Sequence, residues 1–309
     1  MFTNITGASI IPHYFNDALL PLAQGMGSSG TGFGTFILGF FFKAQNLQLQ
    51  EVFFFPAIVS SIVLLVITPS FTIPKNEKYF EKENLKTEQK HDENDIFIET
   101  SLRLFKSYTF WLLVLSTFLS WLAQVVPYAF LEGLQQESVN SSQTGTNMIM
   151  PYYGLFSSVG KIGFGMLCMK SCKWWTLSPL KTFISAQVLF GIAIAILPLV
   201  DMKMRFGLVI LSAILSGCYP LVMVYTQTLL SIKARDASLD FTIGYGYMLV
   251  FEAIGCYIGP PIAGKIYDLT QSYTISFLAT GASILLSGVI LLPKLAKEKL
   301  VLSKDCDIS

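Results

Sequence analysis

The chain has 309 residues, of which 52% are hydrophobic and only 13% charged, and its mean hydropathy is +0.56. Soluble domains carry about 25% charged residues, so an ordinary water-soluble enzyme is excluded. A net charge of +1 offers no basic face to a nucleic acid. The scattered cysteines Cys168, Cys172, Cys218, Cys256 and Cys306 lack the spacing of a disulfide framework or a four-ligand zinc site.

A bilayer core of roughly 30 Å needs about 20 mostly apolar helical residues per crossing. Residues 1–13 are apolar but too short to span, and they lack the basic start and small-residue cleavage site of a signal peptide. Eight stretches then qualify in chain order: 18–42, 52–72, 108–131, 148–169, 182–200, 206–230, 241–262 and 273–293. The expected fold class is therefore an all-α polytopic membrane protein.

Between the second and third spans the chain changes character. Lys75 to Lys106 holds seven basic and eight acidic residues in alternating sign, a pattern of solvated linker rather than folded domain. Lys and Arg in short loops keep those loops cytoplasmic. If this linker is inside, fifteen Lys and Arg lie on its side of the membrane, against four on the other (Lys43, Lys203, Arg205 and Lys265). The linker and the C-terminal tail are thus expected to be cytoplasmic. The loop 132–147, without Lys or Arg, is then external and carries the sequon Asn140-Ser141-Ser142, a potential glycan acceptor. Four regions follow: 1–72 with two spans, 73–107 as linker, 108–293 with six spans, and 294–309 as tail.

Two spans before a linker and six after it depart from the equal repeats common in transporters. The stretch FTIGYGYMLVFEAIGCYIGPPIAGKIYD, Phe241 to Asp268, with its Gly259-Pro260-Pro261 turn, resembles the eleventh span and following loop of the monocarboxylate transporter family of the major facilitator superfamily. FLATGASILLSG, Phe277 to Gly288, resembles the twelfth span, and WLLVLSTFLSWLAQVVPYAFL, ending at Leu131, the seventh with its VPY element. Tyr14-Phe15, followed by Ala23-Gln24-Gly25-Met26-Gly27-Ser28-Ser29-Gly30, resembles the lead into the fifth. The likeness covers nearly the whole chain. It implies a helical bundle in which 108–293 is a complete second half and the first two spans are the fifth and sixth of a first half, the initial four being absent. Asn16-Asp17-Ala18-Leu19 stands where that family has a basic cluster.

An ionisable side chain inside a span costs roughly 2.5 to 3.5 kcal/mol on insertion scales, and normally faces a cavity or a partner. Lys161 sits about two thirds of the way along span 148–169, in Gly160-Lys161-Ile162-Gly163-Phe164-Gly165. The resemblance implies that this position receives the substrate carboxylate, where the family has an arginine, preceded one turn earlier by a proton-coupling aspartate. Here the matching positions are Lys161 and Ser157. Lysine keeps the charge but loses the bidentate fork, and serine carries no titratable proton. Lys161 either faces solute or snorkels its four-carbon stem toward the cytoplasmic headgroups. Glu252, midway along span 241–262, either neutralises a buried cation or relays a proton, or pairs structurally. Lys181 and Glu132 sit near span ends as interfacial anchors. Tyr128 beside Pro127, and Tyr219, Tyr225 and Gln227, supply hydroxyl and amide groups for a solute path, against the alternative of packing or belt residues.

Gly25-Met26-Gly27-Ser28-Ser29-Gly30 satisfies the string G-x-G-x-x-G, but it lies inside an apolar run instead of following a strand, which excludes pyrophosphate binding. Gly30 with Gly34, and Gly255 with Gly259, are instead expected to form small faces where helix backbones approach. His13 and His91 belong to no catalytic motif, and no cofactor or metal site is expected.

The sequence therefore points to a carrier of monocarboxylates or related small organic metabolites in the plasma membrane, working by alternating access, with binding contributed by Lys161, Ser157, Tyr128, Tyr219, Tyr225 and Glu252. The alternative is a non-transporting membrane fragment or isoform of such a carrier. The resemblance implies as partners a small organic anion, protons, the lipid bilayer and an accessory single-span membrane protein.

Overall fold

The computed structural model describes residues 18–45, 92–138, 149–169, 177–231 and 237–296, with isolated positions at 11, 15, 16, 58 and 61. Among the described residues every regular element is helical. The helices are α1 (Leu20–Gln45), α2 (Asp92–Phe105), α3 (Tyr108–Ser138), α4 (Ile149–Leu167), α5 (Pro179–Ile196), α6 (Met202–Ser216), α7 (Pro220–Ser231), α8 (Ala237–Thr270) and α9 (Tyr273–Val289).

Among the described residues, five segments are long and apolar enough to cross a bilayer: Tyr108–Glu137, Pro179–Leu199, Met204–Leu229, Phe241–Thr270 and Tyr273–Ala296. They coincide with five of the expected spans. Spans 18–42 and 148–169 exist as α1 and α4, of 26 and 19 residues, or about 39 and 28 Å at 1.5 Å per residue. The expected span 52–72 falls outside the described residues apart from positions 58 and 61, as do Asn140, His13, His91, Cys172 and Cys306.

Local chemistry sets the boundaries. Pro179 opens α5, where its missing N–H costs no helical bond. Ser272 caps α9 by accepting from the Thr274 amide at 3.3 Å. Just before it, Gln271 takes a left-handed φ of 52°, which reverses the chain between α8 and α9.

The helices α3 to α9 form one bundle. In it α9 packs against α5, α3 and α8, α3 against α8, α6 against α4 and α5, and α7 against α8 and α5. Phe110, Phe183, Phe190, Phe241 and Phe277 fill its core with almost no exposed surface. Helix α1 docks on α4 and α7.

Two expectations change in detail. The far end of the charged stretch is not a plain linker, because residues 92–105 form α2, whose Thr100, Ser101 and Leu104 are buried. These positions fall on one helical face. That face meets α8, where Tyr247 donates to Ser101 Oγ at 3.0 Å and its ring sits 4.9 Å from that of Phe105. Arg205, counted with the external loop charges, is 5% exposed. It donates to the carbonyls of Leu134 at 3.4 Å and Val200 at 3.1 Å, tying the start of α6 to the end of α3.

Candidate functional site

Helix α1 packs closely on α4, and small residues allow it. A Cβ added at Gly25 would strike the Lys161 carbonyl oxygen, one at Gly32 the Gly154 carbonyl oxygen, and one at Gly165 would lie 2.7 Å from the Pro21 carbonyl oxygen. Gly25, Ser29 and Gly32 follow the i, i+4, i+7 spacing of one helical face, and all three are buried. Gly30 and Gly34, expected to form a small face, do not form this one: among the described residues a Cβ at either would meet nothing within 4 Å, both being rotated away from α4. The expected Gly255 and Gly259 face is present, since a Cβ at Gly255 would lie 2.8 Å from the Phe118 carbonyl oxygen, and one at Gly259 would strike that of Leu122. The G-x-G-x-x-G string is continuous α-helix throughout.

Such close approach lets side chains bond across the pair. Ser158 donates to the Ser29 carbonyl at 2.7 Å. Lys161 lies on the same stripe of α4 and sends its Nζ to the Ser28 carbonyl at 3.1 Å and to Thr31 Oγ1 at 2.5 Å. An ammonium has three N–H donors; α1 takes two of them.

The neighbouring face of α4, turned toward α6, carries a second polar group. Ser157 lies 3.1 Å, hydroxyl to hydroxyl, from Ser216 at the end of α6. Tyr128 of α3 is beside Ser157, and its ring meets that of Tyr153 edge to face at 4.9 Å. Gln124, one turn before Tyr128, donates its Nε2 to the Ser216 carbonyl at 3.3 Å. Beyond Ser216 the ring of Trp121 packs on Tyr219 at 5.2 Å, and the Tyr219 hydroxyl donates to Glu252 Oε1. Glu252 is only 3% exposed.

All of this centres on an interruption. The expected span 206–230 is two helices, α6 and α7, joined by the turn Gly217–Tyr219. The Gly217 and Cys218 amides bond back three residues, to Ile214 at 3.0 Å and Leu215 at 3.1 Å, a tighter winding than α-helix. Pro220 has no N–H, so the Ser216 carbonyl loses the donor a continuous helix would give it. The Gln124 amide supplies one instead. Gly160 and Gly217 let the turn sit on α4: a Cβ at Gly217 would strike the Lys161 backbone nitrogen, and one at Gly160 the Ile214 carbonyl oxygen.

Of the residues singled out in the sequence, Tyr219 ends this turn, and Ser157, Tyr128 and Glu252 surround it from α4, α3 and α8. Lys161 is on the adjacent α1-facing stripe and is paired with neither Ser157 nor Glu252. Tyr225 is buried in the apolar core, and Gln227 is half-buried on α7. Lys181 is exposed, as suits an interfacial position. Trp121, Gln124, Tyr153 and Ser216 were not anticipated. Their signal was available, since Trp121, Gln124 and Tyr128 are spaced i, i+3, i+7 on one face, and Gly217 and Pro220 interrupt an otherwise apolar span.

A bundle of apolar helices around buried polar groups at a broken helix is the architecture of an integral membrane protein of the transporter type. Residues 2–244 match the Major Facilitator Superfamily, and the chain belongs to that family. The match ends just inside the stretch Phe241–Asp268. Among curated proteins, the chain is 29% identical over 190 residues to monocarboxylate transporter 9 of Rattus norvegicus, covering 61% of this chain and 35% of that protein. It is 28% identical over 194 residues to monocarboxylate transporter 14 of Homo sapiens, covering 62% and 34%. With monocarboxylate transporter 12 of Homo sapiens the identity is 26% over 313 aligned positions, covering 87% and 55%. The chain thus spans about a third to about half of the length of these relatives.

Proposed function

We propose that this chain serves in the movement of a small organic anion, of the monocarboxylate class or related to it, across the plasma membrane, as a carrier rather than an enzyme. The family and the names of the relatives support transport. The observation that carries the anion is Lys161: a cation on a span-length helix, placed where α1, from before the linker, meets α4, from after it. In alternating access the regions 1–72 and 108–293 would move against one another, and this seam joins them. The third ammonium donor, not taken by α1, is the one offered to a carboxylate. Glu252 is the carboxyl group available for a coupled proton, Ser157 having none. The linker and tail face the cytoplasm in this reading, as the Lys and Arg distribution requires.

Uptake of labelled lactate and pyruvate into vesicles containing the chain tests the proposal. Saturable flux that is lost in Lys161→Ala and retained in part in Lys161→Arg supports it. Flux no greater than that of empty vesicles refutes transport by this chain. The two bonds to α1 favour a second reading, in which Lys161 is an interhelix tie. Unchanged flux in Lys161→Ala, accompanied by lower stability, would establish that role.

A further inference from the structure

Helix α2 carries three stripes. Thr100, Ser101 and Leu104 are buried against the bundle. Ile98, Leu102 and Phe105, spaced i, i+4, i+7, form an apolar stripe beside them, and Ile98 and Leu102 are more than half exposed. Glu99 and Arg103, followed by Lys106, make a polar stripe on the far side of that one, and all three are exposed. An apolar stripe flanked by charges is the pattern of a helix lying in a membrane–water boundary. The neighbouring spans put α2 at that boundary. Only Lys106 and Ser107 separate α2 from α3. The segments Tyr108–Glu137 and Phe241–Thr270 have 30 residues each, about 45 Å at 1.5 Å per residue. A bilayer core of roughly 30 Å centred on either begins about five residues in, close to Trp111 in α3 and Tyr247 in α8. The Phe105 ring sits 5.7 Å from that of Trp111 and 4.9 Å from that of Tyr247, and the Trp111 indole N–H donates to the Phe105 carbonyl at 2.8 Å. Ser101, one turn earlier, accepts from the same Tyr247. The end of α2 is thus pinned to the edge of the hydrocarbon core.

We infer that α2 is an interfacial anchor: its stripe of Ile98, Leu102 and Phe105 lies among the lipid of the leaflet on the linker side, and Glu99, Arg103 and Lys106 stand among headgroups and water. What assigns lipid to this stripe, in place of a protein partner or a second copy, is its continuity with the lipid-facing surface of α3. Phe105 touches Trp111, which is exposed and of the residue type that favours this depth. One turn further on, Leu115 is exposed on the same face of α3. The polar stripe carries both signs of charge, so the attraction is apolar rather than electrostatic and a neutral phosphatidylcholine surface suffices. The charged stretch that divides the two sets of spans is then fastened to the bilayer, and through Ser101 and Phe105 to α8, before the chain enters the membrane at α3. This anchorage is independent of any solute.

The test places nitroxide labels on the 309-residue chain in phosphatidylcholine nanodiscs, with its five cysteines replaced by alanine and single sites introduced in turn by Ile98→Cys, Leu102→Cys, Glu99→Cys and Arg103→Cys. Oxygen concentrates in hydrocarbon, so it should relax the labels at positions 98 and 102 several-fold more effectively than a water-soluble nickel chelate does. The order should reverse at positions 99 and 103. Nickel access at 98 and 102 equal to that at 99 would place the stripe in water and overturn the anchor. Access to neither reagent would show the stripe covered by this chain or a second copy, and would overturn it equally. A second measurement keeps the native cysteines. Ile98→Glu with Leu102→Glu should speed proteolysis within residues 92–105 several-fold in the same nanodiscs, because each charge would have to enter lipid, whereas Glu99→Gln should leave cleavage unchanged. An unfolding midpoint equal to that of the unsubstituted chain certifies that the bundle of the double variant folds. Cleavage unaffected by the two glutamates would mean that water already bathes the stripe, and the anchor would be refuted.

Discussion

The bond between Tyr219 and Glu252 joins the α6–α7 turn to α8 inside the bundle, and its strength can be measured against its geometry. Glu252 is 3% exposed and accepts the Tyr219 hydroxyl on Oε1. Tyr219→Phe removes one oxygen and leaves the ring on Trp121, so the edge-to-face contact at 5.2 Å, worth about 0.5–1.5 kcal/mol in such pairs, is retained. What is lost is the partner of a buried carboxyl, a cost of about 1–3 kcal/mol. Glu252→Leu leaves the Tyr219 hydroxyl orphaned, and should cost a similar amount. Glu252→Gln keeps a carbonyl acceptor and should cost less than about 1 kcal/mol. Replacing both partners by apolar groups of similar shape is close to neutral, so Tyr219→Phe with Glu252→Leu should be less damaging than the singles combined, by about 2 kcal/mol. Reversible unfolding in mixed detergent micelles, followed by tryptophan fluorescence, is the assay, since Trp121 reports directly on the Tyr219 ring. Additivity within about 0.5 kcal/mol, the behaviour of independent sites, would refute the reasoning and reduce the pair to coincidental proximity.

Other outcomes follow from the same contacts. Gly154→Val should separate α1 from α4, because even its Cβ would lie 2.7 Å from the Gly32 carbonyl oxygen and from Thr35 Cβ. At about 0.6 kcal/mol per interhelix bond, losing those of Ser158 and Lys161 weakens the seam by about 2 kcal/mol, measurable as easier detergent unfolding; Gly30→Val, facing open space, should have little effect. Arg205→Met removes both ties to the Leu134 and Val200 carbonyls and should lower stability by about 3 kcal/mol, read as a drop in unfolding midpoint. Ser272→Ala loses the α9 cap, at about 1 kcal/mol, and Ser272→Asp should restore it in the same assay. Tyr247→Phe removes the bond to Ser101 while keeping the ring on Phe105, so it should loosen α2 from α8 and speed proteolysis within residues 92–105 without altering the unfolding midpoint of the bundle.

The spans were legible because twenty apolar residues in a row have one physical reading in a bilayer. What sits on which face was less so. Gly30 and Gly34 satisfied the same small-residue spacing as the buried Gly25, Ser29 and Gly32, and only the position of α4 distinguishes them. Arg205 read as a loop charge because hydropathy sees its neighbours along the chain, whereas its burial depends on the Leu134 carbonyl, 71 residues away. Residues 92–105 average little hydrophobicity, so their narrow buried stripe of Thr100, Ser101 and Leu104 was lost within the charges around it. Tyr128, Ser157, Tyr219 and Glu252 stood out as polar groups in apolar spans. Trp121 and Tyr153 did not, because an aromatic ring in a span is normally packing, and their places beside Tyr219 and Tyr128 become visible only once neighbours are known.

Two features of α4 work together at this point. Its α1-facing stripe, Gly154, Ser158, Lys161 and Gly165, is built for backbone contact, while its α6-facing stripe, Tyr153, Ser157 and Gly160, is built around a broken helix. One rigid helix therefore joins the seam between the two sides of the linker to the turn at Gly217–Tyr219. A solute held at the turn and a movement at the seam would be felt by the same helix. Gly160 is the mechanical weak point of that arrangement, since a Cβ there would lift α4 from the Ile214 carbonyl and carry Lys161 with it. Gly160→Ala should accordingly disturb both faces at once, weakening the α1 seam and the Ser157 to Ser216 contact, whereas Gly163→Ala, with open space around it, should disturb neither. Equal unfolding midpoints for the two variants would mean that the two stripes of α4 are mechanically independent.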